Sequence, residues 1–128
     1  MRCAMLLEEH DAFRQALAYL LAQDPDIEMV AEASTLEEGR AIVLKEPAGV
    51  DVVVTELVLP DGDGTDFLRD LREVDAEIRV LVLTAVRDRD SHEQALGMGA
   101  TEVLTKDAPV ERIVRTIKEL GGDQPPPP

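Results

Sequence analysis

Five charged or polar residues follow apolar runs of strand length, and together they could bind a metal ion. Glu8 and Glu9 follow the first run, and Glu56 follows VVVT. Thr84 ends a later run, and Lys106 comes directly after another. Carboxylates are oxygen ligands that Mg²⁺ can use, and a lysine ammonium can neutralise a carboxylate that is removed from water. Their chemistry depends on whether the fold brings the ends of these runs together.

Apolar runs alternate along the chain with stretches of helical period. The predicted strands are Cys3 to Leu7, Ile27 to Ala33, Val50 to Thr55, Val80 to Leu83 and Val103 to Thr105. Helical spacing predicts a helix after each strand, the last one along an apolar stripe from Val110 to Leu120. The pattern is therefore strand, then helix, repeated through the chain.

Repeated strand–helix units favour a parallel sheet covered by helices on both faces, because right-handed crossovers place helices there. We predict an α/β, doubly wound, five-stranded parallel sheet of order 2-1-3-4-5, with the flavodoxin-like (βα)5 architecture. Ligands of open parallel sheets bind at the carboxyl ends of the strands. The five side chains named above are therefore predicted to meet at one edge of the sheet.

Local signals at the helix ends predict caps and turns. Ser34-x-x-Glu37 fits a capping box for the second helix, and Asp107 can cap the last helix. Asp61 and Asp63, beside glycines, predict a turn, because the run DGDGTD lacks the residues a calcium loop needs at its sixth and twelfth positions.

Composition narrows the function classes. The net charge of −14 argues against binding to nucleic acid by this domain, since such binding needs Lys and Arg at the phosphates. The single cysteine, Cys3, is expected to be a small core residue, and both His10 and His92 are expected to be solvated. No run reaches the roughly 18 apolar residues of a membrane span. We expect a cytoplasmic protein.

The length of 128 residues suits one domain followed by a short tail. Residues 1–120 are predicted to form the globular domain. Residues 121–128, GGDQPPPP, are predicted to be a proline-rich linker or tail, with Gly121 as the C-cap of the last helix.

Several motifs resemble the receiver domain of two-component response regulators, especially the branch joined to a helix-turn-helix DNA-binding domain. They are EEH, EEG, DVVVTELVLPDGDG, VLVLTA and GMGATEVLTKDAP, and the resemblance covers residues 1 to about 120. It implies that a histidine kinase transfers a phosphoryl group to an aspartate after the third strand. It also implies Mg²⁺ held by an acidic pair, that aspartate and a backbone carbonyl, with a Thr/Ser and a Lys that sense the phosphoryl group.

The chain departs from this pattern at its reactive positions. Glu8 and Glu9 stand at the acidic pair, and Glu56 stands at the phosphorylated aspartate. Thr84 and Lys106 match the family, whereas Val103 stands where it usually has an aromatic switch residue. With these departures we expect no cofactor or only weak Mg²⁺, for which Glu9, Glu56 and the carbonyl of Val58 would be the ligands.

Replacement of the aspartate by Glu56 predicts that ordinary phosphorylation is lost. Glutamate is longer by one C–C bond, about 1.5 Å, and a displacement near 1 Å can cost roughly 10²-fold in oriented chemistry. Our hypothesis is that Glu56, held by Lys106 and Thr84, is a fixed partial mimic of the phosphorylated state. The alternative is that the ion pair only neutralises a buried charge in a decayed site.

Two other functions stay open. One is a phosphorylation-competent, Mg²⁺-dependent receiver. The other is a metal-dependent phosphotransfer or hydrolytic enzyme built on Glu8, Glu9 and Glu56, but no general base or substrate platform accompanies them, so we do not expect an enzyme. The expected partners are a second copy of the chain, a histidine kinase and a DNA-binding effector domain beyond residue 128. Receivers of this type pair through the first and last helices and the helix faces near strands four and five.

Overall fold

The computed structural model describes residues 2–45 and 49–121. Strands and helices alternate through it as the sequence pattern predicts. In chain order the elements are β1 (Arg2–Leu7), α1 (Asp11–Ala22), β2 (Ile27–Ala33), α2 (Leu36–Lys45), β3 (Val52–Thr55), β4 (Val58–Leu59), β5 (Gly62–Asp63), α3 (Gly64–Val74), β6 (Arg79–Thr84), α4 (Arg89–Gly97), β7 (Glu102–Thr105) and α5 (Val110–Leu120).

A five-stranded sheet of order β2-β1-β3-β6-β7 forms the centre of the fold, and all its neighbouring strands are parallel. This order is the predicted 2-1-3-4-5, because β6 and β7 are the fourth and fifth strands of the sheet. The fold prediction is therefore confirmed. A separate antiparallel ribbon pairs Val58 with Asp63 and Leu59 with Gly62. The sequence did not predict it, since two-residue strands are too short to show a period.

Two hydrophobic clusters cover the two faces of the sheet. Successive residues of a strand point to opposite faces, so Met5 packs under α2 and α3 while Leu6 packs under α1 and α5. Phe67, Leu68 and Leu71 of α3 are buried in the first cluster, as their spacing predicts. Both faces of the sheet are thus held by helices, and its carboxyl edge is left for the loops that carry the site.

Two helix caps differ from the predictions. The side chain of Asp61 accepts hydrogen bonds from the amides of Leu36 (2.8 Å) and Glu37 (3.0 Å), so a residue of the ribbon loop caps α2. Thr35 caps the amide of Glu38 (3.1 Å), one position later than the predicted box. A contact across 25 positions has no local sequence signal.

The predicted cap of the last helix was wrong. Pro109 is the N-cap of α5. Asp107 instead accepts hydrogen bonds from Thr105 and Arg87, which joins the loops that follow β6 and β7. Hydrogen bonding by Thr105 and Arg87 lowers the pKa of the Asp107 carboxyl.

Of the predictions made near the two ends of the chain, one is confirmed, one lies outside the described residues and one differs from the structure. Gly121 is the C-cap of α5, as predicted, whereas residues 122–128 of the predicted linker lie outside the described residues. Cys3 is half-buried rather than a full core residue, and burial raises the pKa of its thiol. None of the described helices is long and apolar enough to cross a membrane.

Candidate functional site

Four of the predicted site residues meet at the carboxyl edge of the sheet. Each follows or ends a different strand of the sheet, namely β1, β3, β6 and β7. They are deeply buried for polar groups: Glu8 is 2% exposed, Glu56 5% and Thr84 0%, and the Lys106 side chain is 15% exposed. Buried charges are stable only when they are paired and hydrogen-bonded, so the contacts among these residues determine what the site can do.

The Lys106 ammonium lies between two buried carboxylates. Its Nζ contacts Oε1 of Glu8 and lies 3.3 Å from Oε1 of Glu56. The Phe13 ring adds a cation–π contact, with Nζ 4.9 Å from the ring centroid. We call this arrangement the Glu8–Lys106–Glu56 bridge. The predicted pairing of Lys106 with Glu56 is present, but the sequence did not predict the pairing with Glu8.

Both carboxylate oxygens of Glu56 accept hydrogen bonds from backbone amides. The amide of Ala85 donates to Oε1 over 3.2 Å, and the amide of Leu57 donates to Oε2 over 2.5 Å. Burial raises the pKa of Glu56, but hydrogen bonds from the Thr84 hydroxyl and these two amides, together with the Lys106 charge, outweigh it and hold the pKa below its ordinary value. Glu56 is therefore a fixed anion.

Thr84 connects Glu56 to the loop after β6. Its hydroxyl donates to Glu56 and lowers the pKa of that carboxyl, and the same oxygen accepts from the amide of Val86 over 3.1 Å. A hydroxyl can donate once and accept twice, so both interactions are compatible. Because Ala85 also donates to Glu56, the start of this loop is held to the end of β3.

Glu8 is fixed from the α1 side as well as by Lys106. Its Oε2 accepts from the amide of His10 (3.0 Å) and lies 3.2 Å from the His10 Nδ1. Arg14 donates to the Glu8 carbonyl over 2.8 Å. His10 was expected to be solvated; its side chain is 68% exposed but its ring still contacts Glu8. The sequence feature that could have indicated this contact is the position of His10 two residues after Glu8.

Gly64 allows the chain to turn back tightly behind Glu56. A Cβ on Gly64 would collide with the Glu56 carbonyl oxygen and would lie 2.9 Å from the Cα of Leu57. The Gly64 amide donates to the Leu57 carbonyl over 2.7 Å and secures this approach. Only a residue without a side chain fits, so Gly64 helps to place the Glu56 backbone. The sequence indicated only a turn here.

Three other predicted site residues do not join the bridge. Glu9 is half-buried, and no hydrogen bond or ion pair links it to Glu8 or Glu56. Val58 lies in the short ribbon with 57% of its surface exposed. Val103 packs against the hydrophobic cluster under α2, α3 and α4. Only one member of the predicted acidic pair therefore takes part, because adjacent residues leave a strand in different directions.

The arrangement does not fit the Mg²⁺ site that the family resemblance implies. Within the ranges 2–45 and 49–121, no three His, Cys, Asp or Glu side chains come together in a way that could hold a metal ion. Every carboxylate oxygen of Glu8 and Glu56 already has a partner, and the Lys106 ammonium lies between the two groups. Mg²⁺ demands nearly ideal octahedral coordination, which these engaged carboxylates do not offer.

Comparison with known proteins places this chain in one family. The model of the response regulator receiver domain matches residues 4–118. The chain belongs to the response regulator receiver family. Glu56, Thr84 and Lys106 stand at the positions that the sequence resemblance equates with the family's phosphoacceptor, its Thr/Ser and its Lys.

The relatives of this receiver domain are regulators of transcription. It is 33% identical over 116 residues to the DNA-binding transcriptional activator DevR/DosR of Mycobacterium tuberculosis, covering 91% of this chain and 52% of that protein. It is 30% identical over 120 residues to the nitrate/nitrite response regulator protein NarL of Escherichia coli, covering 94% and 55%. The chain thus spans about half the length of these curated relatives.

Solved structures support the fold of this receiver domain. The signal receiver domain of the putative response regulator NarL from Mycobacterium tuberculosis superposes with a TM-score of 0.88, covering 96% of this chain and 98% of that one. The two are 22% identical, so this similarity shows the fold alone.

Proposed function

We propose that this chain is the receiver domain of a transcriptional response regulator and that it acts by protein–protein contact without ordinary phosphorylation. Glu56 then serves as a fixed partial mimic of the phosphorylated state. The observation that carries the proposal is the Glu56 carboxylate, which is held by Lys106, Thr84 and the amides of Leu57 and Ala85. The family resemblance assigns the sensing of a phosphoryl group to that Thr and that Lys.

The same contacts argue against phosphoryl transfer to Glu56. A nucleophilic carboxylate must present a free oxygen in line with the donor, and a misplacement near 1 Å can cost roughly 10²-fold. Both oxygens of Glu56 accept hydrogen bonds, and its pKa is held low, so the carboxylate is poorly disposed to attack. Among the residues that the structure describes, no three His, Cys, Asp or Glu side chains are arranged to hold the cation that would neutralise the transferred group.

The partners of the proposed regulator follow from its relatives. The matched part covers only about half of the related regulators of transcription, so we propose a DNA-binding effector domain in the same protein, acting in the cytoplasm. A chain of net charge −14 is unsuited to contact DNA itself. Self-association of the receiver is the expected output. Sequencing of the gene beyond codon 128 tests the effector domain, because a helix-turn-helix there is required.

Variants of Glu56 test the mimic. In Glu56→Gln the charge that holds Lys106 is lost, and in Glu56→Asp the carboxylate retreats by about 1.5 Å. We expect both to weaken self-association in sedimentation velocity, with Gln the stronger effect. Glu37→Gln, on the exposed face of α2, is the matched control and should behave as wild type. Unchanged association in both Glu56 variants would remove the basis for the mimic.

A small phosphodonor tests whether the chain accepts a phosphoryl group. Wild-type protein incubated with acetyl phosphate and Mg²⁺ should show no added phosphoryl mass in intact mass spectrometry. A covalent adduct that forms only with Mg²⁺ and disappears in Glu56→Gln would instead support the phosphorylation-competent receiver. An adduct in Glu56→Asp alone would show that side-chain length is what prevents the reaction.

A further inference from the structure

The Glu8–Lys106–Glu56 bridge gives the site a cation of its own. The Lys106 Nζ contacts one oxygen of each glutamate, in the space between two carboxylates that come from different strands. We propose that Lys106 is the resident cation of this receiver, that it excludes divalent metal from the site, and that the domain is built to hold its conformation independently of Mg²⁺. This extends the proposed function to the regulation of the same site, but it rests on Lys106 rather than on mimicry by Glu56.

The first argument is that the possible ligands are already engaged. Oε1 of Glu8 and Oε1 of Glu56 face Lys106, while Oε2 of Glu8 accepts from His10 and Oε2 of Glu56 accepts from Leu57. A divalent cation would have to break contacts to both carboxylates before it could bind them. Mg²⁺ also loses its own water reluctantly.

The second argument is that Lys106 cannot easily leave. Its backbone amide donates to the Thr84 carbonyl over 2.9 Å, which fixes the start of its side chain beside β6. The Phe13 ring lies 4.9 Å from the ammonium and favours a cation there. A metal ion that entered would therefore meet a positive charge held in place, and like charges close together in a buried site repel strongly.

The third argument is charge balance. Two buried carboxylates and one ammonium leave a single net negative charge at the bridge, which the Leu57 and Ala85 amides help to stabilise. Removal of Lys106 would leave two buried anions facing each other. Such a pair needs a cation, so the site should then accept the divalent ion that the wild-type chain refuses.

The test is titration with Mn²⁺, a probe that takes oxygen ligands, followed by electron paramagnetic resonance of the free ion. Wild-type protein should bind no Mn²⁺ below about 1 mM, and Lys106→Met should bind one ion at least about tenfold tighter. The double variant Lys106→Met/Glu56→Gln should lose the gained binding. Lys118→Met is the matched control, because Lys118 also lies between two carboxylates, Asp24 and Asp26, but at the surface. It should gain nothing.

The outcomes separate cleanly. Stoichiometric Mn²⁺ binding by wild type, as tight as in Lys106→Met, overturns the proposal, and so does a folded Lys106→Met that gains no binding. If that variant does not fold, the melting temperature of wild type decides: a rise in MgCl₂ beyond that in NaCl of equal ionic strength overturns the proposal, and equal values support it. A gain of Mn²⁺ binding with unchanged association of Glu56→Gln would defeat the mimic and leave this proposal standing.

Discussion

Two lysines of this domain each lie between two carboxylates, at opposite ends of the sheet. Lys106 joins the two buried glutamates at the carboxyl ends of the strands. Lys118 of α5 lies 3.2 Å from Asp24 and 3.3 Å from Asp26, in the loop that leads into β2. The side chains of Lys106 and Lys118 are 15% and 36% exposed, and the partners of Lys118 are 16% (Asp24) and 54% (Asp26) exposed, against 3% and 5% for the two glutamates. The geometry is similar, but the access of water is not.

The comparison shows that burial, and not ion pairing itself, determines how much each lysine contributes to stability. Water can take over from Lys118 if it leaves, since exposed ion pairs contribute little to stability. Nothing replaces Lys106 equally well, because an unpaired charge in a buried place is strongly unfavourable. Four substitutions test this contrast.

Lys106→Met should be the most damaging change. It leaves Glu8 and Glu56 buried without their shared cation, and breaking a buried pair typically costs about 3 kcal/mol or more. Urea unfolding at pH 7, followed by circular dichroism, measures the loss. If the free energy of unfolding decreased by less than about 1 kcal/mol, this bridge would contribute no more than an ordinary surface ion pair, and the two lysines would not differ as argued.

Gly64→Ala should be the next most damaging change. The new Cβ would collide with the Glu56 backbone, and overpacking of this kind costs about 2 kcal/mol. The matched control is Gly97→Ala at the end of α4, where a Cβ meets no atom within 4 Å. That control should be neutral or slightly stabilising. Equal effects of the two alanines in thermal unfolding would mean that the close approach behind Glu56 is not required.

Glu56→Gln should change the response to acid. The folded pKa of Glu56 lies below its ordinary value, so its charge stabilises the fold above that ordinary value, and the benefit disappears as pH falls through the folded pKa. Wild type should thus exceed Glu56→Gln in stability at pH 7, and the difference should shrink below about pH 5. Urea midpoints measured from pH 7 to pH 3 test this. A constant difference would contradict it, and Glu37→Gln should show none.

Lys118→Met should have the smallest effect, far below that of Lys106→Met. Hydrogen bonds that the Lys118 ammonium donates to Asp24 and Asp26 raise the pKa of Lys118, so the stability it adds is present at neutral pH and is lost as pH rises through the folded pKa. Lys118 and Asp26 are open to solvent, so salt screens their attraction, whereas Asp24 is 16% exposed. Unfolding midpoints at low and high NaCl should therefore converge for wild type and variant. A persistent difference would show that exposure does not separate the two lysines.

The sequence was sufficient for the sheet and for part of the site. Val52, Val53 and Val54 form a run typical of a strand buried on both faces, and the alternation of such runs with helical stretches predicted a doubly wound parallel sheet, for which 2-1-3-4-5 was the expected strand order. Because parallel strands share a carboxyl edge, Glu56 and Lys106 could be paired without coordinates. These inferences need only the period and direction of each element.

The missed contacts depend on side-chain direction and on close approach between distant segments. Glu8 and Glu9 are adjacent and chemically alike, yet only Glu8 contacts Lys106, which no composition or period distinguishes. The need for glycine at position 64 arises from the Glu56 backbone, eight positions earlier. Such details follow from packing, and the local sequence carries only an indirect trace of them.

The cap of α2 has a consequence for how the domain forms. Asp61 holds the first amides of this helix, and it lies 25 positions after Leu36. During synthesis α2 emerges before its cap, so its first turn gains these hydrogen bonds only once β3 and the ribbon are in place. The loop that carries Glu56 into α3 therefore also completes the N-terminal cap of the second helix.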